Sequence, residues 1–134
     1  MRPLKILTLI FSLVLLQSCD PLRRIIVKNE STENATITFK LKGDSALHSP
    51  IFINSTDKVS YTVGNNARHN VMRLSLGTGN WTNGALKQFV DDLEYLEITS
   101  TSINEKLSTE KEIKAYLRQH LTGILRKNIH INIK

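Results

Sequence analysis

The sequence predicts an α+β domain: an antiparallel sheet or small β-sandwich, with two helices in the C-terminal half. Three observations predict it. Through most of the first half, apolar residues alternate with polar ones, the period of a half-buried strand. In two stretches of the second half the period lengthens to that of a helix face. The chain has 134 residues, enough for one modest core and too few for two domains with a linker.

The elements follow in order. Arg24 to Lys28 is a short β-branched strand. Ala35, Ile37, Phe39 and Leu41 then alternate with Thr36, Thr38 and Lys40. The polar turn between them, Asn29 to Asn34, makes this pair a hairpin. Gly43, Asp44 and Pro50 mark a loop, and Ile51 to Asn54 reads as a short strand. Val59, Tyr61 and Val63 alternate again, ending at Gly64-Asn65-Asn66. Val71 to Leu76 is the next strand, stopped by Gly77-Thr78-Gly79-Asn80.

Leu86, Phe89, Val90 and Leu93 stand on one face of a short helix, capped by Thr82 or Asn83. Tyr95 to Thr101 returns to strand. Thr109 with Glu112 forms a capping box that opens a second helix. Its apolar stripe runs through Ile113, Tyr116, Leu117, His120, Leu121 and Ile124, with Gly123 suited to the end. Ile129, Ile131 and Ile133 alternate with His130 and Asn132 as a closing strand. A parallel pairing of that strand with the Tyr95 strand, through the intervening helix, is one arrangement; it would cross over right-handed.

The start of the chain is different in kind. Arg2 and Lys5 precede an apolar run from Ile6 to Leu16, and Gln17, Ser18 and Cys19 follow. A basic start and a short apolar stretch make an export signal. The run is too short to span a bilayer, which takes roughly 17–25 apolar residues. Ordinary signal cleavage favours alanine before the cut, and no alanine occurs before Ala35. Leu16-Gln17-Ser18-Cys19 instead resembles the lipobox of bacterial lipoproteins. That resemblance covers only the leader. It implies cleavage between Ser18 and Cys19, a diacylglyceryl group on the Cys19 thiol, and acylation of the new amine by a chain such as palmitate. It divides the chain into a signal peptide (1–18), a lipidated tether (19–24) containing Pro21, and one domain (25–134). It also implies a membrane partner through the lipid, on the cell membrane or the outer membrane. Asp20 resembles an inner-membrane retention signal, and the two locations stay open.

Cys19 is the only cysteine, so no intrachain disulfide and no thiolate metal cluster can form. The formal net charge is +6, of which Arg2 and Lys5 leave with the signal. The remainder is too small and too spread to argue for nucleic acid. From Ser108 onward the cations are Lys111, Lys114, Arg118, Arg126, Lys127 and Lys134, against Glu110 and Glu112. Acids early and cations late suit a helix dipole, and the same cations suit anionic head groups.

No motif for a cofactor or metal is present. The histidines His48, His69, His120 and His130 lack zinc-ligand spacing. Asp91, Asp92, Glu94 and Glu97 cluster in sequence, where solvated faces of a helix and a strand explain them. The Gly77–Trp81 turn lacks the spacing and the lysine of a phosphate loop. Trp81 is the sole tryptophan, either a core plug or a binding aromatic. Trp81, His48 and His69 are the candidate ligand-binding residues. The expectation is a non-enzymatic envelope module that binds a protein or glycan. The alternatives are an envelope hydrolase with a loop-borne site around His48, His69 and Asp91, and a small-ligand carrier or an inhibitor.

Overall fold

The computed structural model describes residues 22–43 and 57–134. Among them are eight strands: β1 (Leu22–Asn29), β2 (Ala35–Leu41), β3 (Lys58–Val63), β4 (Val71–Thr78), β5 (Leu93–Thr99), β6 (Asn104–Leu107), β7 (Leu121–Thr122) and β8 (Asn128–Ile133). Two helices complete the set, α1 (Asn83–Asp91) and α2 (Glu110–Gln119). The class is α+β, with both helices in the C-terminal half. The leader, Cys19, His48 and the expected 51–54 strand lie outside the described residues.

The strands form two four-stranded sheets, ordered β4-β1-β8-β7 and β3-β2-β5-β6. Every pairing is antiparallel except β1 with β8. In the first sheet Leu74, Ile25 and Ile129 stand side by side on the buried face, and Met72, Val27 and Ile131 form the next row. In the second sheet the rows are Val59, Phe39 and Leu96, then Tyr61, Ile37 and Ile98. Period-two alternation places these residues on one face of each sheet, and the two inner faces share one core. Leu86, Phe89 and Val90 from α1, with Ile113 and Leu117 from α2, join that core. The helices pack on each other and on β5.

Both helix starts are read correctly from sequence. Thr82 caps α1, its hydroxyl accepting from Ala85 N at 3.1 Å. Thr109 and Glu112 form the full capping box of α2.

Three expectations are corrected. First, β1 and β2 do not form a hairpin; they belong to different sheets. The cause is Asn29, which is 1% exposed. Its amide donates to the carbonyls of Glu33 (2.8 Å) and Val63 (3.0 Å), while its carbonyl accepts from Ser31 N and Oγ. Asn29 thus turns the chain out of one sheet and pins it to the end of the other. Second, β8 pairs in parallel with β1, not with β5. Both edges of β5 are taken, by β2 and by the polar strand β6. Third, the helical stripe stops at Gln119. His120 leaves the helix, Leu121 pairs with Ile129 as strand, and Ile124 is fully solvent-exposed. In addition, β1 begins at Leu22, so Leu22 to Arg24, counted with the tether, are part of the sheet.

Candidate functional site

Because β1 and β8 run parallel, the start of β1 and the loop entering β8 lie at one end of the first sheet. The turn after β4 arrives at the same end. Gly77 and Gly79 hold φ values of +85° and +94°, which side-chain-bearing residues rarely adopt, and they reverse the chain toward α1. A side chain at Gly77 would also crowd Arg23 Nη2, 3.3 Å from the position of its Cβ.

That reversal delivers Trp81 to the core, where it is 2% exposed. Its backbone N–H donates to Arg126 O at 2.7 Å and its indole N–H to Arg24 O at 3.3 Å. Its ring meets Phe89 edge-on at 5.6 Å, and Phe89 meets Phe39 the same way at 6.4 Å. The Arg23 guanidinium stands 5.6 Å from the Trp81 ring centre. The Arg23 Nε is buried without a hydrogen-bond partner. Trp81 is thus chiefly a core residue, and only its edges reach the surface.

Two hollows flank it. One, of about 210 Å³, lies between Arg23, Gly77, Gln88 and Asp92. The other, of about 390 Å³, lies between Asn83, Leu86, Arg118, Leu121 and Arg126. Arg118 Nη2 donates to Asn83 Oδ1 at 2.8 Å, which fixes the guanidinium across the start of α1. Arginine forks and an amide beside an aromatic wall suit an anionic or hydroxyl-rich group.

The structure does not bring the predicted ligand residues together. His69 is exposed in the turn before β4, its N–H bonded to Asn66 and its carbonyl to Gly64 N. Trp81 lies past the other end of that eight-residue strand, roughly 25 Å away at the rise of a strand. His48 lies outside the described residues. Asp91 is ion-paired to Lys87, at the end of β2 where Lys42 N bonds Asp92 O. His69 sits at the opposite end of β2, beside the Ala35–Val63 pair. His69 and Asp91 therefore share no site.

The remaining candidates are accounted for by local structure. His120 stacks on Tyr116 at 4.4 Å, with Nδ1 2.8 Å from Tyr116 O. Burial, then the Glu105 carboxylate, pushes the Tyr116 phenol up to about 12. Glu97 stands opposite Thr38 and Lys106 in its sheet. His130 pairs with Ile26 on the outer face of β8. Among the described residues no group of three or more His, Cys, Asp or Glu is placed to hold a metal ion, and no helix is long and apolar enough to cross a membrane.

Sequence reasoning missed Arg23 and Asn83 as site residues, and it weighed Arg118 and Arg126 only as charges. Periodicity assigns side chains to faces, and it carries no signal for the convergence of four separate segments at one sheet end. No protein-family model, no curated protein and no solved structure matches this chain.

Proposed function

We propose that this chain is an exported bacterial lipoprotein, held on a membrane by lipid on Cys19, and that its domain is a non-enzymatic binding module for an envelope protein or glycan. The observation that carries the reading is the place of the sole cysteine. It ends the leader as Leu16-Gln17-Ser18-Cys19, three residues ahead of β1. With so short a connection, about 10 Å when fully extended, the domain rests close to the bilayer. Two or more acyl chains give stable anchoring. The hollows beside Trp81 support the binding half of the proposal. The larger one offers Arg118, Arg126 and Asn83 to a ligand.

Mass spectrometry of the mature N-terminus tests the anchor. Wild type should begin at Cys19 and carry diacylglycerol plus an amide-linked acyl chain, and Cys19→Ala should lose both and leave the membrane fraction. An unmodified Cys19 removes the proposal. Cross-linking in intact envelopes tests the module. A specific partner should be captured by wild type and lost from Arg118→Glu; capture unchanged by that variant would clear the hollow of the role.

A further inference from the structure

We infer that the hairpin loop between β7 and β8 is a second membrane contact, an apolar tip with a basic collar that seats on an anionic bilayer beside the lipid anchor. The inference rests on the lipoprotein reading for the placement of the N-terminus at the bilayer.

Among the described residues, three large hydrophobic side chains are exposed: Leu22 at 42%, Ile124 at 101% and Leu125 at 56%. All three lie at the same end of the first sheet. Single exposed apolar residues are ordinary, but a cluster at one pole marks a contact surface. Leu22 opens β1, and Ile124 and Leu125 form the tip of the loop that enters β8. The root of that loop is fastened to this end, with Arg24 N donating to Lys127 O at 3.0 Å and Trp81 N to Arg126 O at 2.7 Å.

The occupant follows from position and charge. Cys19 lies three residues before Leu22, so its acyl chains enter the bilayer within about 10 Å of this pole. Arg126 and Lys127 lie in the loop itself and Arg24 is bonded to its root, and among the described residues none of the three is ion-paired to a carboxylate. An apolar tip on a basic root matches a headgroup layer: the side chains of Ile124 and Leu125 enter the acyl boundary while the cations meet phosphates. The tether already confines the tip to the interface, so seating it adds little ordering cost. A protein partner would need acidic and apolar groups at the bilayer surface, a narrower requirement.

The test uses the processed full chain in vesicles. If Cys19 is acylated, wild type carries no free thiol. Ile124→Cys and His69→Cys then each carry one, for an environment-sensitive fluorophore. The vesicles hold phosphatidylcholine with about one-quarter phosphatidylglycerol, with or without bromine on the lipid tails. The probe at position 124 should shift to the blue and lose roughly half its emission to brominated tails, as expected at the acyl boundary. The probe at position 69, at the far end of the sheet, should do neither.

Arg126 has a φ of +44°, which glycine adopts without strain, so Arg126→Gly removes a charge and keeps the fold. In the unlipidated mature chain (Cys19→Ala), added to vesicles from solution, this substitution should weaken binding to anionic vesicles about fivefold and leave neutral vesicles unaffected. Unchanged far-UV circular dichroism reports that each variant is folded. Equal quenching at positions 124 and 69, or equal binding to anionic vesicles by unlipidated Cys19→Ala chains with and without Ile124→Ser/Leu125→Ser, would overturn the inference. So would loss of an envelope protein by that variant with vesicle contact intact. A reactive thiol in wild type would sink the anchor alone. In that case the unlipidated chain still reads the tip: weaker binding to anionic vesicles by the double variant supports it, and equal binding overturns it.

Discussion

Asn29 is the residue on which the two-sheet arrangement turns. A buried amide is tolerated only when its donors and acceptors are matched, and all four of its hydrogen bonds are made within the domain. Asn29→Leu keeps the volume but strips donors from the carbonyls of Glu33 and Val63. It should cost roughly 2–4 kcal/mol, read as a lower urea midpoint at unchanged slope. A cost below about 0.5 kcal/mol would show that water takes over both carbonyls. Glu33 is the acidic counterpart. Hydroxyls of Ser102, then Thr101 and Ser100, donate to its carboxylate and hold its pKa down to about 2 from an ordinary 4.5. A depressed folded pKa means that stability is fully present above about 4.5 and is lost as pH falls toward 2. The carboxylates of Glu30, Asp57 and Glu112 are also held below their ordinary values, so acid titration of wild type should show a loss in that window that is smaller in Glu33→Gln. Parallel titrations of the two would remove the assignment. Neither residue stood out in the sequence, because polar residues in a turn look alike until their partners are known. Trp81 was half legible: its type and position named a core plug, while the arginines beside it come from distant segments.

At the scale of elements, most of the chain was legible. The alternation of Ala35 to Leu41 gave β2 and its buried face, and the Thr109–Glu112 pair gave the start of α2. Thr109→Ala removes the hydroxyl that accepts from Glu112 N, and should cost about 1 kcal/mol. Amide exchange should rise first in the opening turn of α2, and uniform exchange across the domain would argue against a local role. Pairing was less legible than type. Alternation tells which way a side chain faces and is silent about which strand lies beside it. Alternation therefore pairs β1 with its neighbour in sequence, whereas its partners are β4 and β8. The stripe that ended at Ile124 failed for a related reason. Ile124 stands seven residues after Leu117, the spacing of one helix face, yet Leu121 finds Ile129 across a hairpin and the chain leaves the helix. Ile124 is instead the exposed tip of the loop between β7 and β8.

The first sheet has one pole at the start of β1, the end at which the proposed anchor would hold it. β1 starts at the Cys19 end and rises away from it, and β8 runs beside it in the same direction to Ile133. The turns around Asn34, Asn65 and His69 lie at the far pole, where Asn65 N–H meets Asn34 and the Asn65 amide meets Thr32 O. If the acyl chains hold the first residue and a partner pulls on the last, β1 and β8 are drawn in opposite directions along their length. Their six paired positions, Arg24–Asn29 with Asn128–Ile133, then resist together rather than opening one bond at a time. A tethered domain under load is in this way strapped by its own termini. Single-molecule stretching between the two ends should meet a high rupture force, while pulling from position 125 against the N-terminus should peel β7 and β8 away at a much lower one. Equal forces along the two directions would mean that the parallel pair does not carry the load.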